Sequence, residues 1–201
     1  MPPPGRLHLD LQPTSEEVFE PDSVSDAPII RFVAYGERHR VFGWMQLRAD
    51  RLTDMLNAHE SLHLTDVRIE RLDDATTPSM EEIIIGRREL VAVQATGPRG
   101  DSSRRHQTLP HPIAVESGDY VIAGHLHAEP GIDAMTSIAG RSAMVPLTDA
   151  WIEYWSRGEC RHQSTGTIIV NRERADRIRV VTEAELTSHR LHPGKRSIGR
   201  A

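Results

Sequence analysis

The sequence predicts a mainly β protein of the α+β kind: two tandem, small, five-stranded barrel-like units, each with one short inserted helix. Three observations predict it. The stretch from Ile30 to about Thr96 resembles the stretch from Pro112 to about Thr182, so one pattern is written twice. Apolar residues recur in short alternating runs, not at helical spacing. Gly, Pro, Asn and Asp punctuate those runs. Five short, bent strands suit a small closed or partly open barrel. A second unit adds the buried area that one alone would lack. The pair is expected either as two barrels or as one β-structure fused about a pseudo-twofold axis.

Residues 1–27 are rich in Pro, Ser and acids without a sustained period, which reads as a disordered acidic tail. The first unit is assigned to 28–96. Ile30, Phe32 and the alternation up to Gly36 form a first strand. Val41 to Leu47 forms a second, and the polar turn at Glu37-Arg38 makes the pair a hairpin. Asp50 is expected to cap a short helix in which Leu52, Met55 and Leu56 share a face. Leu62, Leu64, Val67 and Ile69 form a third strand whose phase changes near Asp66, predicting a bulge. Ile83–Ile85 and Leu90–Val93 are the fourth and fifth strands. Gly86 between them stands where Asn171 stands in the second copy. Both residue types tolerate a left-handed backbone, so a positive-φ turn is expected there.

Residues 97–110 read as a linker and 111–182 as the second unit. Val115-Glu-Ser-Gly118 is set against Val33-Ala-Tyr-Gly36, and Gly124 against Gly43. Leu147-Thr-Asp149 is set against Leu64-Thr-Asp66, and Ile168-Ile-Val-Asn-Arg172 against Ile83-Ile-Ile-Gly-Arg87. The offset grows from 81 at the glycines to 85 at the arginines, as small loop insertions would make it. Residues 183–201 read as a basic flexible tail.

His39-Arg40-Val41-Phe42-Gly43, Arg51-Leu52-Thr53-Asp54-Met55-Leu56-Asn57 and Leu64-Thr65-Asp66 together resemble the signatures of a bacterial family of unknown function. The second copy departs from them, since Asp133-Ala-Met-Thr-Ser-Ile-Ala139 lacks the Leu-Asn ending. That resemblance implies no activity. A more distant similarity is to the Sm-like barrel, with its Gly-centred bent strand and its final hairpin bearing an Ile-Arg-Gly turn. Gly43, Ile84-Ile85-Gly86-Arg87 and Ile169-Val170-Asn171-Arg172 are similar in kind, with Gly and Arg reversed and a helix inserted. At the level of fold analogy this implies RNA or nucleotide binding.

Composition excludes several classes. The 201 residues carry 24 bases and 29 acids, a net charge of −5. Asp10, Glu16, Glu17, Glu20, Asp22 and Asp26 against Arg6 place that excess in the N-terminal tail. A neutral body speaks against bulk nucleic-acid binding. Aromatics at 4% do not furnish a row of base-stacking platforms. Lys195 is the only lysine, so no Gly-x-x-x-x-Gly-Lys loop exists, and the arginine bias suggests a GC-rich bacterial genome. Cys160 is the only cysteine, which excludes an intrachain disulfide and a cysteine zinc site. The start shows no secretion-signal pattern and no apolar run could span a bilayer, so the expected location is cytoplasmic, with no membrane partner.

Arg87 and Arg172 recur in both units and are candidates to clamp a phosphate or carboxylate. Arg104 and Arg105 join them as ligand-binding candidates. Their position before the second unit resembles the basic lead-in of PilZ-type cyclic-dinucleotide receptors, although the Asp/Asn-x-Ser-x-x-Gly element is missing. His125 and His127 share a strand face, a spacing that suits a metal pair, but only His111 or Glu129 offers a third ligand. No metal and no cofactor is therefore expected. Cys160 reads as an incidental thiol in a hairpin loop. Trp151 and Trp155 share a strand face opposite Tyr154 and form a candidate interface patch. The leading expectation is a non-catalytic interaction or regulatory module, not an enzyme, with a protein partner, itself or another, and a homodimer as one form. The alternatives are a nucleotide- or RNA-binding module and a metal-dependent enzyme.

Overall fold

The computed structural model of the protein describes residues 27–74, 76–98 and 107–191. The acidic segment through residue 26, Arg104 and Arg105, and the basic residues Lys195, Arg196 and Arg200 lie outside the described residues. Short alternating apolar runs cannot bury a helical stripe, so they pair as strands. Eleven result: β1 (Ile29–Gly36), β2 (His39–Gln46), β3 (Ser61–Arg71), β4 (Ser79–Gly86), β5 (Leu90–Gln94), β6 (Leu109–Ser117), β7 (Tyr120–Ala128), β8 (Met144–Ser156), β9 (Glu159–Ser164), β10 (Thr167–Asn171) and β11 (Arg177–Val180). Three helices accompany these strands among the described residues: α1 (Leu52–Ala58), α2 (Ala134–Ala139) and α3 (Glu183–Leu191). No helix among the described residues is long and apolar enough to cross a membrane.

All strand pairs are antiparallel and form one open sheet in the order β11-β6-β7-β8-β10-β5-β1-β2-β3-β4, with β9 also on β8. The pairing joins both halves in one sheet and does not give two separate barrel-like units. β9 and β10 share a single register on β8, with Trp151 opposite Ser164 and Thr148 opposite Thr167. The gap is bridged by the Thr165 amide donating to the Ala150 carbonyl and the Asp149 amide to the Gly166 carbonyl, both at 2.8 Å. Taken as one strand, β9 and β10 give each half the same layout: fifth strand, first, second, third, fourth. The halves meet through β5 of the first and β10 of the second, unlike edges. A twofold axis would bring like edges together, so the pseudo-twofold expectation is corrected.

The register also corrects the match between the first strands. Phe32 faces Gly43 while Ile113 faces Gly124, so Ala114, not Val115, is the counterpart of Val33. The predicted bulge near Asp66 occurs in both halves. Register shifts between Phe42 and Trp44, and again between Ala123 and His125. Asp66 and Asp149 sit at φ of 48° and 49°, a left-handed conformation that Asp tolerates better than most residues. The turn expected at Gly86 and Asn171 is not left-handed, with φ of −75° and −87°. The chain there enters short 3-10 turns at Arg87–Glu89 and Arg172–Arg174.

Helix ends differ from expectation as well. Arg51, not Asp50, is the first cap of α1, and its guanidinium pairs with Asp54 at 2.9 Å. Asp133 caps α2 by accepting the Thr136 amide at 3.0 Å. The reading of 183–201 as a tail gives way to α3 over its first part. Thr182 and Glu185 form a reciprocal capping box: the Thr182 amide donates to Glu185 Oε2 at 2.7 Å, and the Glu185 amide to Thr182 Oγ1 at 3.2 Å.

Each half encloses an apolar cluster that borrows from the other. Phe32, Val41, Leu64 and Ile85 pack with Met144 and Ile169 of the second half. Ile113, Ile122, Leu147 and Ile152 pack with Tyr35, Val91 and Ala92 of the first. Trp151, Ala114, Ala123, Val181 and Leu186 form a third cluster, which anchors α3.

The kink glycines generate a test. A Cβ at Gly124 would lie 2.8 Å from the Ala150 Cβ and 2.9 Å from the Thr148 oxygen, whereas at Gly43 the nearest atom, the Thr65 oxygen, is 3.1 Å away. Gly124→Ala is expected to cost about 1–3 kcal/mol through overpacking, and Gly43→Ala less. Urea midpoints of the two variants check the order.

Candidate functional site

The joint between the halves combines a short strand pairing with side-chain amide clamps. Ile168, Ile169 and Val170 of β10 face Gln94, Val93 and Ala92 of β5, and both Val93 and Ile169 are fully buried. The Ala95 amide donates to the Thr167 oxygen at 3.0 Å, extending the ladder by one step. Asn171, 3% exposed, holds the corner: its Nδ2 donates to the Leu90 oxygen at 3.0 Å and the Arg87 oxygen at 3.3 Å. Its Oδ1 accepts the Glu173 amide at 3.2 Å. Asn57 of α1 reaches across as a second amide. It donates to the Met144 oxygen and accepts the Met144 amide, each at 2.9 Å.

A tyrosine cluster seals the other face of the joint. Rings of Tyr35, Tyr120 and Tyr154 lie within 6.0 Å of one another, centroid to centroid. The Tyr120 hydroxyl donates to the Gly36 oxygen at 2.6 Å. The Tyr35 hydroxyl accepts from Gln94 at 2.7 Å and donates to Gln163 at 3.1 Å. Burial pushes all three phenols above their ordinary value, keeping them neutral. The Arg40 guanidinium lies 5.3 Å from the Tyr35 centroid and 5.4 Å from that of Tyr154, and pairs with Glu70 at 3.1 Å.

The residues singled out in the sequence fall elsewhere. Arg87 donates to the Asn57 oxygen at 3.2 Å, and Arg172 to the Arg141 oxygen at 2.8 Å. The Arg87 guanidinium thus ties down the last turn of α1, and that of Arg172 the segment just after α2. Arg104 and Arg105 lie outside the described residues. His125 bonds Glu183 of α3 at 3.0 Å, while His127 bonds Thr148 at 2.8 Å and Thr108 at 3.3 Å. Among the described residues no group of three or more His, Cys, Asp or Glu side chains is placed to hold a metal ion. An open groove of about 450 Å³ runs beside α2, lined by Thr108, Glu129, Ile132, Thr136 and Arg141 among others. Arg141 donates from Nη2 to the His127 oxygen at its rim.

Trp151 and Trp155 do share a face opposite Tyr154, but Trp151 is 1% exposed and donates to the Leu186 oxygen at 3.3 Å. The sequence reading of Trp151 as interface is corrected: α3 covers it. Trp155 stays 38% exposed opposite Cys160, which lies in β9 and not in a loop.

What sequence reasoning missed are the two ends of the sheet. The outer edges of β4 and β11 have no strand partner among the described residues. Ile84 is 74% exposed on β4, with Met80 beside it, and Val180 is 53% exposed on β11. The signal is present in the sequence, where Ile83-Ile-Ile85 matches the joint strand Ile168-Ile-Val170. No family model, no curated protein and no solved structure matches the chain.

Two measurements test this description. Asn171→Leu strands carbonyls at a buried corner and is expected to cost about 1–3 kcal/mol, seen as a lower urea midpoint. His127 is held below the ordinary histidine value by burial first, then by the charges of His125 and Arg141. The unfolded chain therefore binds the proton more readily, and stability falls as pH drops through the ordinary histidine range near ~6.5. Urea midpoints measured from neutral to mildly acidic pH are expected to fall less steeply in His127→Gln.

Proposed function

We propose that the protein is a non-catalytic interaction module that takes up a protein partner by strand addition at the ends of its sheet. The observation that carries this reading is Ile84. Leu64 faces Ile83 as Leu147 faces Ile168, so Ile84 is the register counterpart of Ile169. Ile169 is fully buried in the joint, and Ile84 is 74% exposed on an open edge. An edge strand offers a row of unpaired amides and carbonyls, and natural edges are ordinarily blunted with charge, proline or a covering element. Here Ile84 adds an apolar anchor to that row. Backbone pairing supplies affinity in such docking and alternate side chains supply specificity. Arg87 and Arg172 are engaged by backbone carbonyls, which lends no support to the nucleotide or RNA alternative.

The repeated strand order supports an origin by internal duplication of one five-stranded unit. In this reading the joint is the prototype of the docking contact.

Size measurement in extract of the source cells tests the docking role. The full chain is expected to elute above its 22.5 kDa monomer mass, and Ile84→Lys to return it to that mass. The substitution is exposed and should leave stability within about 0.5 kcal/mol. Elution of the unaltered chain as a monomer, or of Ile84→Lys with the unaltered chain, would contradict the proposal.

A further inference from the structure

The joint between the halves shows how one edge of this sheet accepts another, and at the two ends of the strand order one edge of each kind has no strand partner among the described residues. Val115 faces Ile178 as Ala34 faces Val93, so β11 is the register counterpart of β5. β4 is likewise the counterpart of β10. The internal contact uses β5 and β10, and the outer edges of β11 and β4 have no strand partner among the described residues. Resting on the docking role proposed above, we infer that the partner is a second copy of this chain, whose β11 pairs antiparallel with β4. Transferring the internal register puts Ile84 opposite Ile178, Glu82 opposite Val180 and Ile83 opposite Arg179.

The backbone is set for that register. The Arg87 amide donates to the Glu60 oxygen across β3, and antiparallel alternation then turns Glu82 and Ile84 outward. The Val181 amide donates to the Pro112 oxygen across β6, which turns Ile178 and Val180 outward. The groups required to face each other are the ones left open on both strands. Side chains agree. Ile178 packs only partly against the second core, whereas its counterpart Val93 is fully buried, and Ile84 of a second copy would supply the cover that Ile169 gives Val93. β4 carries Glu81 and Glu82, and β11 carries Arg177 and Arg179. In this register Glu81 lies diagonal to Arg179 on one face, within reach of long side chains.

The contact joins unlike edges, so every added copy presents the same open edge again. Such a contact closes into a ring or grows as a filament, and does not stop at a twofold dimer. Gly86 stands where Asn171 clamps the internal corner, so the contact between copies lacks that amide and assembles in a concentration-dependent way.

Native mass measurement on the purified full chain tests this. The unaltered chain is expected to form multiples of its own mass that grow with concentration. Ile84→Lys and Val180→Glu each yield monomers with unchanged circular dichroism and urea midpoint. Each variant keeps one working edge, so an equimolar mixture of the two yields a species of twice the chain mass. Adding Glu82→Lys to Val180→Glu restores assembly, because those two positions face each other. A purified chain that stays monomeric at every concentration, a single variant that still assembles, or a mixture that stays monomeric would overturn the inference. If extract shows an Ile84-dependent complex while the purified chain stays monomeric, the docking role stands and self-assembly falls.

Discussion

Backbone amides and carbonyls buried away from water must find partners, and the joint between β5 and β10 is where the two halves meet that constraint together. Val91, Ala92 and Val93 of β5 are nearly or fully buried, as are Ile168, Ile169 and Val170 of β10. Neither strand could hold its place alone. Pairing them satisfies both rows of polar groups and lets each half complete the other's core. Met144 and Ile169 close the first cluster, and Tyr35, Val91 and Ala92 close the second. The Asn171 and Asn57 amides finish the corners that the ladder cannot reach.

The bend that creates those cores is local chemistry. At Gly43 and Gly124 the facing strand crosses so closely that a Cβ would meet the Thr65 or Thr148 oxygen. Asp66 and Asp149, next in sequence to those threonines, take the left-handed conformation that absorbs the extra residue. The bend curls each half around its own cluster, while the strand order ends at β4 and β11. Among the described residues the outer edges of those two strands have no strand partner.

Much of this was legible in the sequence. Alternation marked the strands of the first unit closely, and the phase change at Asp66 announced the bulge. The repeat located the matching elements, although Val115 was set one position out because Val-x-x-Gly looked the same in both copies. Other features depend on tertiary context that a pattern does not encode. Gly86 and Asn171 suggested a left-handed turn, yet Asn171 is there for its amide, which only the arrival of β5 makes useful. Trp151 looked like a surface aromatic until α3 covered it, and the Thr182–Glu185 capping box that begins α3 was readable but lay in a segment taken for a tail. Arg87 and Arg172 recur in the sequence, and in the structure each donates to a carbonyl at or just past the end of its unit's helix, contacts that a repeat alone does not reveal. Which edges meet across the joint is a question of topology, and the exposure of Ile84 appears only once that is known.

Amide hydrogen exchange at Glu82, Ile84, Ile178 and Val180 tests the central claim most directly, because these four amides are the ones that face outward on the open edges. The pairing of unlike edges between copies predicts protection of all four in the purified full chain at high concentration. It also predicts loss of that protection on dilution, and loss at Ile178 and Val180 in Ile84→Lys. Rapid exchange of the four amides at every concentration, with β5 and β10 protected, would show that the joint is made once within the chain and never between chains.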